Sequence, residues 1–216
     1  MRHPIEWISG AVLLLCAATG CGGSKPYARA DLPQIPPAKI AVLPFDNLSE
    51  AKGAGKTMEN ILLVELLKHS PFRALDPGEV AEALSQERIR LATAIPKENL
   101  RNLGQKLGVP LVVVGIVYEY GLDTAGSGGA AKLPIVAVTV RVLETATGEI
   151  VWASNVVRRG NDRETLFGVG REDSLLRLAE QTGREIAVAF AASVGRRRAA
   201  ETPGGAPINA EKPTVR

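Results

Sequence analysis

The feature that most limits what this chain can fold into is an apolar run near its start, residues 7–18 (WISGAVLLLCAA), followed by Ala18-Thr19-Gly20 and then Cys21. A helix of that length rises about 18 Å at ~1.5 Å per residue, short of a bilayer core of ~30 Å. The run fits the apolar region of a cleaved leader, so it is set aside before fold is considered. Its removal also removes Cys16, and Cys21 becomes the only thiol. A disulfide framework and a multi-thiolate metal site are thereby excluded from the mature chain. His3 leaves with the leader as well, and His69 is the one histidine left for acid–base or metal chemistry.

The tetrapeptide Ala18-Thr19-Gly20-Cys21 resembles a lipobox, the signal at which bacterial lipoproteins are acylated on cysteine and cleaved. Small side chains before the cysteine let the backbone enter a peptidase, and the thiol accepts the lipid. Ala18 stands where Leu is usual, and Glu6 lies in a normally basic stretch. Cys16, the rival, follows Leu13-Leu14-Leu15 and has no small residue before it. Cys21 is therefore the expected lipidation site, residues 1–20 the signal peptide, and the anchor effectively permanent at ~0.8 kcal/mol per buried methylene. Gly22, not Asp, follows the cysteine, which favours the outer membrane and a periplasm-facing domain.

Residues 22–38 (GGSKPYARADLPQIPPA) are polar and Pro-rich, and with Cys21 they read as a lipidated tether. Fully extended, the tether would span about 55 Å at ~3.3 Å per residue. Residues 196–216 carry no hydrophobic periodicity and read as a disordered basic tail. The formal charge of +3 is accounted for by that tail, since Arg2 and Glu6 cancel in the leader. The domain at residues 39–195 is close to neutral, and the pI near 9.0 gives no reason to expect nucleic-acid binding.

Within residues 39–195 the pattern predicts strand, helix, strand, two helices, three strands and a helix. Residues 39–45 (KIAVLPF) and 111–118 (LVVVGIVY) are buried strands, and 72–75 a short one. A covered helix is expected over 58–68, and a second begins where Asp76 can cap and Pro77 suits the first position. Pro96 opens a third, which Gly108 ends. Residues 135–143 alternate and turn at Thr147-Gly148 into a hairpin partner over 149–158. Residues 173–194 form a long amphipathic helix. This order, β-α-β-α-α-β-β-β-α, predicts a single α/β domain with a mixed sheet of about five strands and helices packed on it.

Motifs with chemical content are weak. Gly55-Lys56-Thr57 sits between a strand and a helix, but the glycine that opens a phosphate-binding loop is replaced by Glu50. Ser127 in Ala125-Gly126-Ser127-Gly128-Gly129 has Ala where a nucleophile elbow needs Gly, and reads as a hairpin tip. His69 is expected to meet the carbonyls at the end of its helix. Asp46, Glu119 and Glu144 lie near strand ends without a partner base or nucleophile. Arg158, Arg159, Arg163 and Arg171 gather around one loop and read as solvated. No catalytic residue, metal ligand or cofactor is expected.

Four segments carry a resemblance: residues 40–49 (IAVLPFDNLS), 72–89 (FRALDPGEVAEALSQERI), 103–121 (LGQKLGVPLVVVGIVYEYG) and 140–157 (VRVLETATGEIVWASNVV). In this order they resemble the CsgG-like and TolB-N-terminal-like group of envelope lipoproteins, related to activators of penicillin-binding proteins. The resemblance implies a non-catalytic accessory or assembly domain that binds an envelope protein partner, with an oligomeric ring subunit as the alternative. Membrane-spanning hairpins of the pore-forming kind need about 9–11 residues per strand. The connections over 121–134 and 158–173 are too short to provide them. The anchor is directly testable: Cys21→Ala should leave the precursor uncleaved and only loosely held at membranes, read by mass and fractionation. Normal maturation of that variant would remove the lipidation site.

Overall fold

The computed structural model describes residues 25–30, 32, 39–123 and 132–200, with side chains through residue 194. Cys21, Ser127 and residues 201–216 lie outside the described residues. The elements in chain order are strand β1 (Tyr27–Ala28), β2 (Lys39–Val42), β3 (Asp46–Asn47), helix α1 (Ala54–His69), β4 (Arg73–Ala74) and α2 (Pro77–Gln86). They continue with α3 (Lys97–Leu107), β5 (Leu111–Asp123), β6 (Leu133–Glu144), β7 (Ile150–Arg159) and α4 (Leu175–Ala200). The described strands form one seven-stranded sheet in the order β1-β7-β6-β5-β2-β4, with β3 also paired to β5. β2 is parallel to β4 and β5, while β5, β6, β7 and β1 run alternately antiparallel. The expected mixed-sheet α/β architecture is therefore present, enlarged by two short strands.

Side-chain alternation explains the layering. Ile40 and Val42 on β2, with Leu111 and Val113 on β5, face Met58, Leu62 and Phe190 of α1 and α4. Ala41 and Leu43, with Val112 and Val114, face Val80, Leu84, Leu100, Leu103 and Leu107 of α2 and α3. Strands buried on both faces need continuous apolar runs, and β2 and the first half of β5 have them. β6 has a buried helix-side row in Val136, Val138, Val140 and Val142, while Thr139 and Arg141 between them are only half-buried. On the α2–α3 face, Thr139 and Arg141 of β6 are half-buried and Asn155 and Val157 of β7 exposed, while Ile135 and Ala137 are buried. Trp152 lies fully buried under α4, edge-on to Phe190 at 5.3 Å between ring centroids, and its indole N–H donates to Ser193 Oγ at 3.2 Å.

Local signals set most helix ends. The Asp76 carboxylate accepts from the Gly78 N–H at 2.8 Å, and Gly108 ends α3 with φ 62°. Gly148 turns β6 into β7 with φ 73°. Helix α1 begins at Ala54, a turn before the apolar run that identifies it in the sequence, and α4 extends to Ala200. The β5–β6 hairpin is also longer than expected, its register running from Leu111↔Glu144 to Asp123↔Leu133.

Part of the segment read as a tether belongs to the sheet. Tyr27 pairs with Ala153 and Ala28 with Trp152, and the Arg29 N–H donates to the Val151 carbonyl at 2.9 Å. The Arg29 guanidinium reaches Glu149 at 2.6 Å and Glu144 at 3.5 Å. Leu32 is buried to 3% exposure within the α1–α4 core. A solvated spacer would tolerate truncation here, whereas a core residue would not. Leu32→Ala should destabilise the leaderless protein by ~2–4 kcal/mol in urea unfolding; an unchanged midpoint would return the segment to a spacer role.

Candidate interaction surface

The residues with chemical potential are separated in space and bound into structural contacts. Gly55, Lys56 and Thr57 form the first turn of α1, and the Lys56 ammonium pairs with Glu59 at 2.8 Å. A Cβ at Gly55 would overlap the Phe45 carbonyl oxygen. That glycine is required by close backbone packing, and no phosphate loop is needed to explain it. His69 Nε2 lies 3.2 Å from Glu65 and accepts from Arg184 of α4 at 3.2 Å, so it bridges two helices instead of capping its own. The Ser70 hydroxyl takes the capping role, donating to the Leu66 carbonyl at 2.7 Å.

The strand-end acids do not converge. Asp46 on β3 accepts from the Thr93 hydroxyl. Glu144 accepts from Thr147 at 2.7 Å and meets Arg29 across the tether strand. Glu119 is exposed where β5 leaves its β3 neighbour. Among the described residues, no group of three His, Cys, Asp or Glu side chains could hold a metal ion. No described helix is long and apolar enough to cross a membrane.

The arginine cluster is divided among partners. Arg158 makes a two-pronged contact with Glu185 of α4, at 2.6 and 3.0 Å, and fastens β7 to that helix. Arg159 lies 3.6 Å from Asp123, and Arg171 donates to Asp173 at 2.7 Å, which raises the Arg171 pKa. Arg163 is exposed on the loop itself. An anion site built from all four is therefore not assembled.

Exposed apolar groups mark two places that the sequence patterning passed over. The first is the free side of β5. The β3 pairing ends at Asn47↔Val117, and the Leu48 N–H adds one bond to the Val117 carbonyl at 2.8 Å. Beyond it, no described strand pairs with that side of β5. Leu48, Tyr118 and Leu122 are exposed there, around a shallow groove that also takes in Glu50 and Glu119. Between Tyr118 and Leu122, Tyr120 is half-buried, and burial raises its hydroxyl pKa. The second place is the β7–α4 loop, where Leu166, Phe167 and Val169 are exposed at 81, 99 and 66%. The only sequence signal for either was an apolar pair or triplet among charges, without a helical or strand period.

No protein-family model matches the chain, and no curated protein sequence matches it. Solved structures do. A single-substitution variant of the PelC dodecamer from Paraburkholderia phytofirmans aligns with TM-score 0.52 and 19% identity, over 77% of this chain and 96% of that one. Lipoprotein GNA1162 from Neisseria meningitidis aligns with TM-score 0.50 and 21% identity, over 70% and 99% of the two chains. The hypothetical protein CT253 from Chlamydia trachomatis aligns with TM-score 0.50 and 12% identity, over 73% and 97%. The chain shares their fold. The high coverage of all three means that the shared unit is essentially their whole structured chain.

The reading of Gly55 can be checked by sign. Gly→Ala in a helix ordinarily gains about 1 kcal/mol of propensity. Overlap with the Phe45 backbone should reverse this, so Gly55→Ala should lose ~1–3 kcal/mol in urea unfolding. A stabilised variant would show that the glycine is not needed for packing.

Proposed function

We propose that this chain is a non-catalytic accessory domain of the bacterial envelope, lipidated at Cys21, held at the outer membrane facing the periplasm, and acting by binding another envelope protein. The observation that carries the reading is the β5 side, where Leu48, Tyr118 and Leu122 stand exposed beside backbone that no described strand pairs. A strand side of this kind can accept an extended segment of a partner through main-chain hydrogen bonds, with side-chain pockets adding specificity. Glu50 and Glu119 along the groove favour a segment carrying basic residues. The lipobox-like Cys21, the resemblance of residues 40–157 to CsgG-like and TolB-N-terminal-like lipoproteins, and the fold shared with a lipoprotein support the cellular setting.

A second reading has a specific observation behind it. The PelC protein that shares this fold was solved as a dodecamer, so the β5 side could receive another copy of this chain and close a ring. One experiment separates the two. A photoreactive residue at Leu122, introduced in the native host, should cross-link to a different envelope protein if the domain is an accessory factor. Cross-links to the chain itself, with a large particle mass in detergent, would establish the ring. A monomer that cross-links to neither would remove the β5 side as the functional surface.

A further inference from the structure

Resting on the proposed Cys21 anchor, we propose that the β7–α4 loop is a second, non-covalent membrane contact, with Leu166, Phe167 and Val169 seated in the phospholipid leaflet that holds the lipid. Three observations converge on it: where the anchor chain leads, how the loop is built, and what it presents.

The direction of the anchor follows from register. β1 is antiparallel to β7, with Tyr27 opposite Ala153, while β7 runs on to Arg159. The chain that precedes Tyr27 therefore leaves the sheet toward the Arg159 end, where the β7–α4 loop begins. From Cys21 to Tyr27 the backbone reaches at most about 20 Å. The stretch of β7 from Ala153 to Arg159 covers about the same distance at ~3.3 Å per residue. An extended lead would bring the acylated cysteine level with the start of the loop. Because β1 is fastened by Arg29 and Leu32, the domain cannot drift from the membrane by the full length of the polar segment.

The loop is built to hold its shape. At its base Gly160 and Glu172 are joined by a 2.8 Å backbone bond, and the Gly160 N–H donates to the Pro134 carbonyl at 2.9 Å. Nearer the tip, the Thr165 N–H and hydroxyl both donate to the Val169 carbonyl, at 2.7 and 3.0 Å. Gly170 lies so close to the Arg163 carbonyl that a Cβ there would overlap it. Phe167 occupies the left-handed region at φ 65°, ψ 26°, which is uncommon for a residue other than glycine, asparagine or aspartate. The fold thus supports a strained Phe whose side chain touches almost nothing of its own protein.

The chemistry fits the interior edge of a leaflet better than its charge. From base to tip the loop carries Arg159, Arg163 and Arg171 against Asp162, Glu164, Glu172 and Asp173, so it presents no net positive charge. Binding should therefore depend on apolar burial and respond little to salt.

The test uses the full-length lipoprotein, extracted from membranes and reconstituted into phosphatidylethanolamine–phosphatidylglycerol vesicles with or without brominated acyl chains. With Trp7 lost in the leader, the buried Trp152 is the only native indole and sets the baseline. A tip seated ~5–10 Å below the headgroups would bring the indole of Phe167→Trp to the bromines, lowering its emission roughly twofold or more. The indole of Ala146→Trp, at the far β6–β7 turn, should keep its emission, and neither result should change with added salt. Equal emission with and without bromine at position 167 would overturn the contact, as would equal quenching at both positions. The intact mass of each sample distinguishes the failures. An acylated chain with an unquenched tip leaves the anchor standing and removes the loop contact, whereas a chain without lipid removes both.

Discussion

β5 passes through two environments, and the rest of the fold is arranged around that change. Its first half, Leu111 to Val114, is buried on both faces, between α1 and α4 on one side and α2 and α3 on the other. At Gly115 the ring of Phe45 takes the space where a side chain would stand, and a Cβ there would overlap it. Past Val117 the register shifts, β3 ends, and only β6 continues alongside. A strand that leaves its double cover must either become polar, be covered from outside, or end. β5 instead carries the exposed Tyr118 and Leu122 past Val117, while Tyr120 between them still packs against the α1–α4 core. That departure from ordinary edge protection is what suits the β5 side to receive a partner.

What could be read from the sequence follows from how local each signal is. Continuous apolar runs gave β2 and β5, alternation gave β6, and the Asp76-Pro77 cap, Gly108 and Gly148 fixed ends through their own backbone preferences. Contacts made only in the folded chain were not legible. Arg29 meets Glu144 and Glu149, 115 and 120 residues away, and no local pattern announces that pairing. Leu32 sits in a Pro-rich stretch without apolar periodicity, so composition placed it in a solvated tether although it belongs to the core. Gly55-Lys56-Thr57 is the opposite case: Glu50 already argued against a phosphate loop, but the reason for the glycine, its approach to the Phe45 backbone, is visible only in the fold. Leu166, Phe167 and Val169 lacked periodicity and were read as part of a charged loop.

The tether strand also limits how copies of this domain could associate. β1 and Arg29 occupy the side of β7 at Val151 to Ala153, and β4 offers only two residues at the opposite edge of the sheet. Beyond Val117, β5 keeps six residues with no described strand on one side, the same number that β7 keeps beyond Ala153, and Leu48, Tyr118 and Leu122 stand exposed along the β5 side. A two-fold dimer about an axis perpendicular to the strands would pair that side with itself, but it would point the two β1 leads in opposite directions. Both copies could not then place the proposed Cys21 anchor in one leaflet. A cyclic ring with its axis along the strands has no such conflict, since every β1 lead and every β7–α4 loop faces the same side. It uses a heterologous contact, so the β5 side of one copy must meet a different surface of the next. The outer face of β6 and β7 around Thr139, Asn155 and the exposed Val157 has the mixed polarity for that role. If the chain self-assembles and carries the proposed Cys21 anchor, that anchor favours the ring over the two-fold dimer.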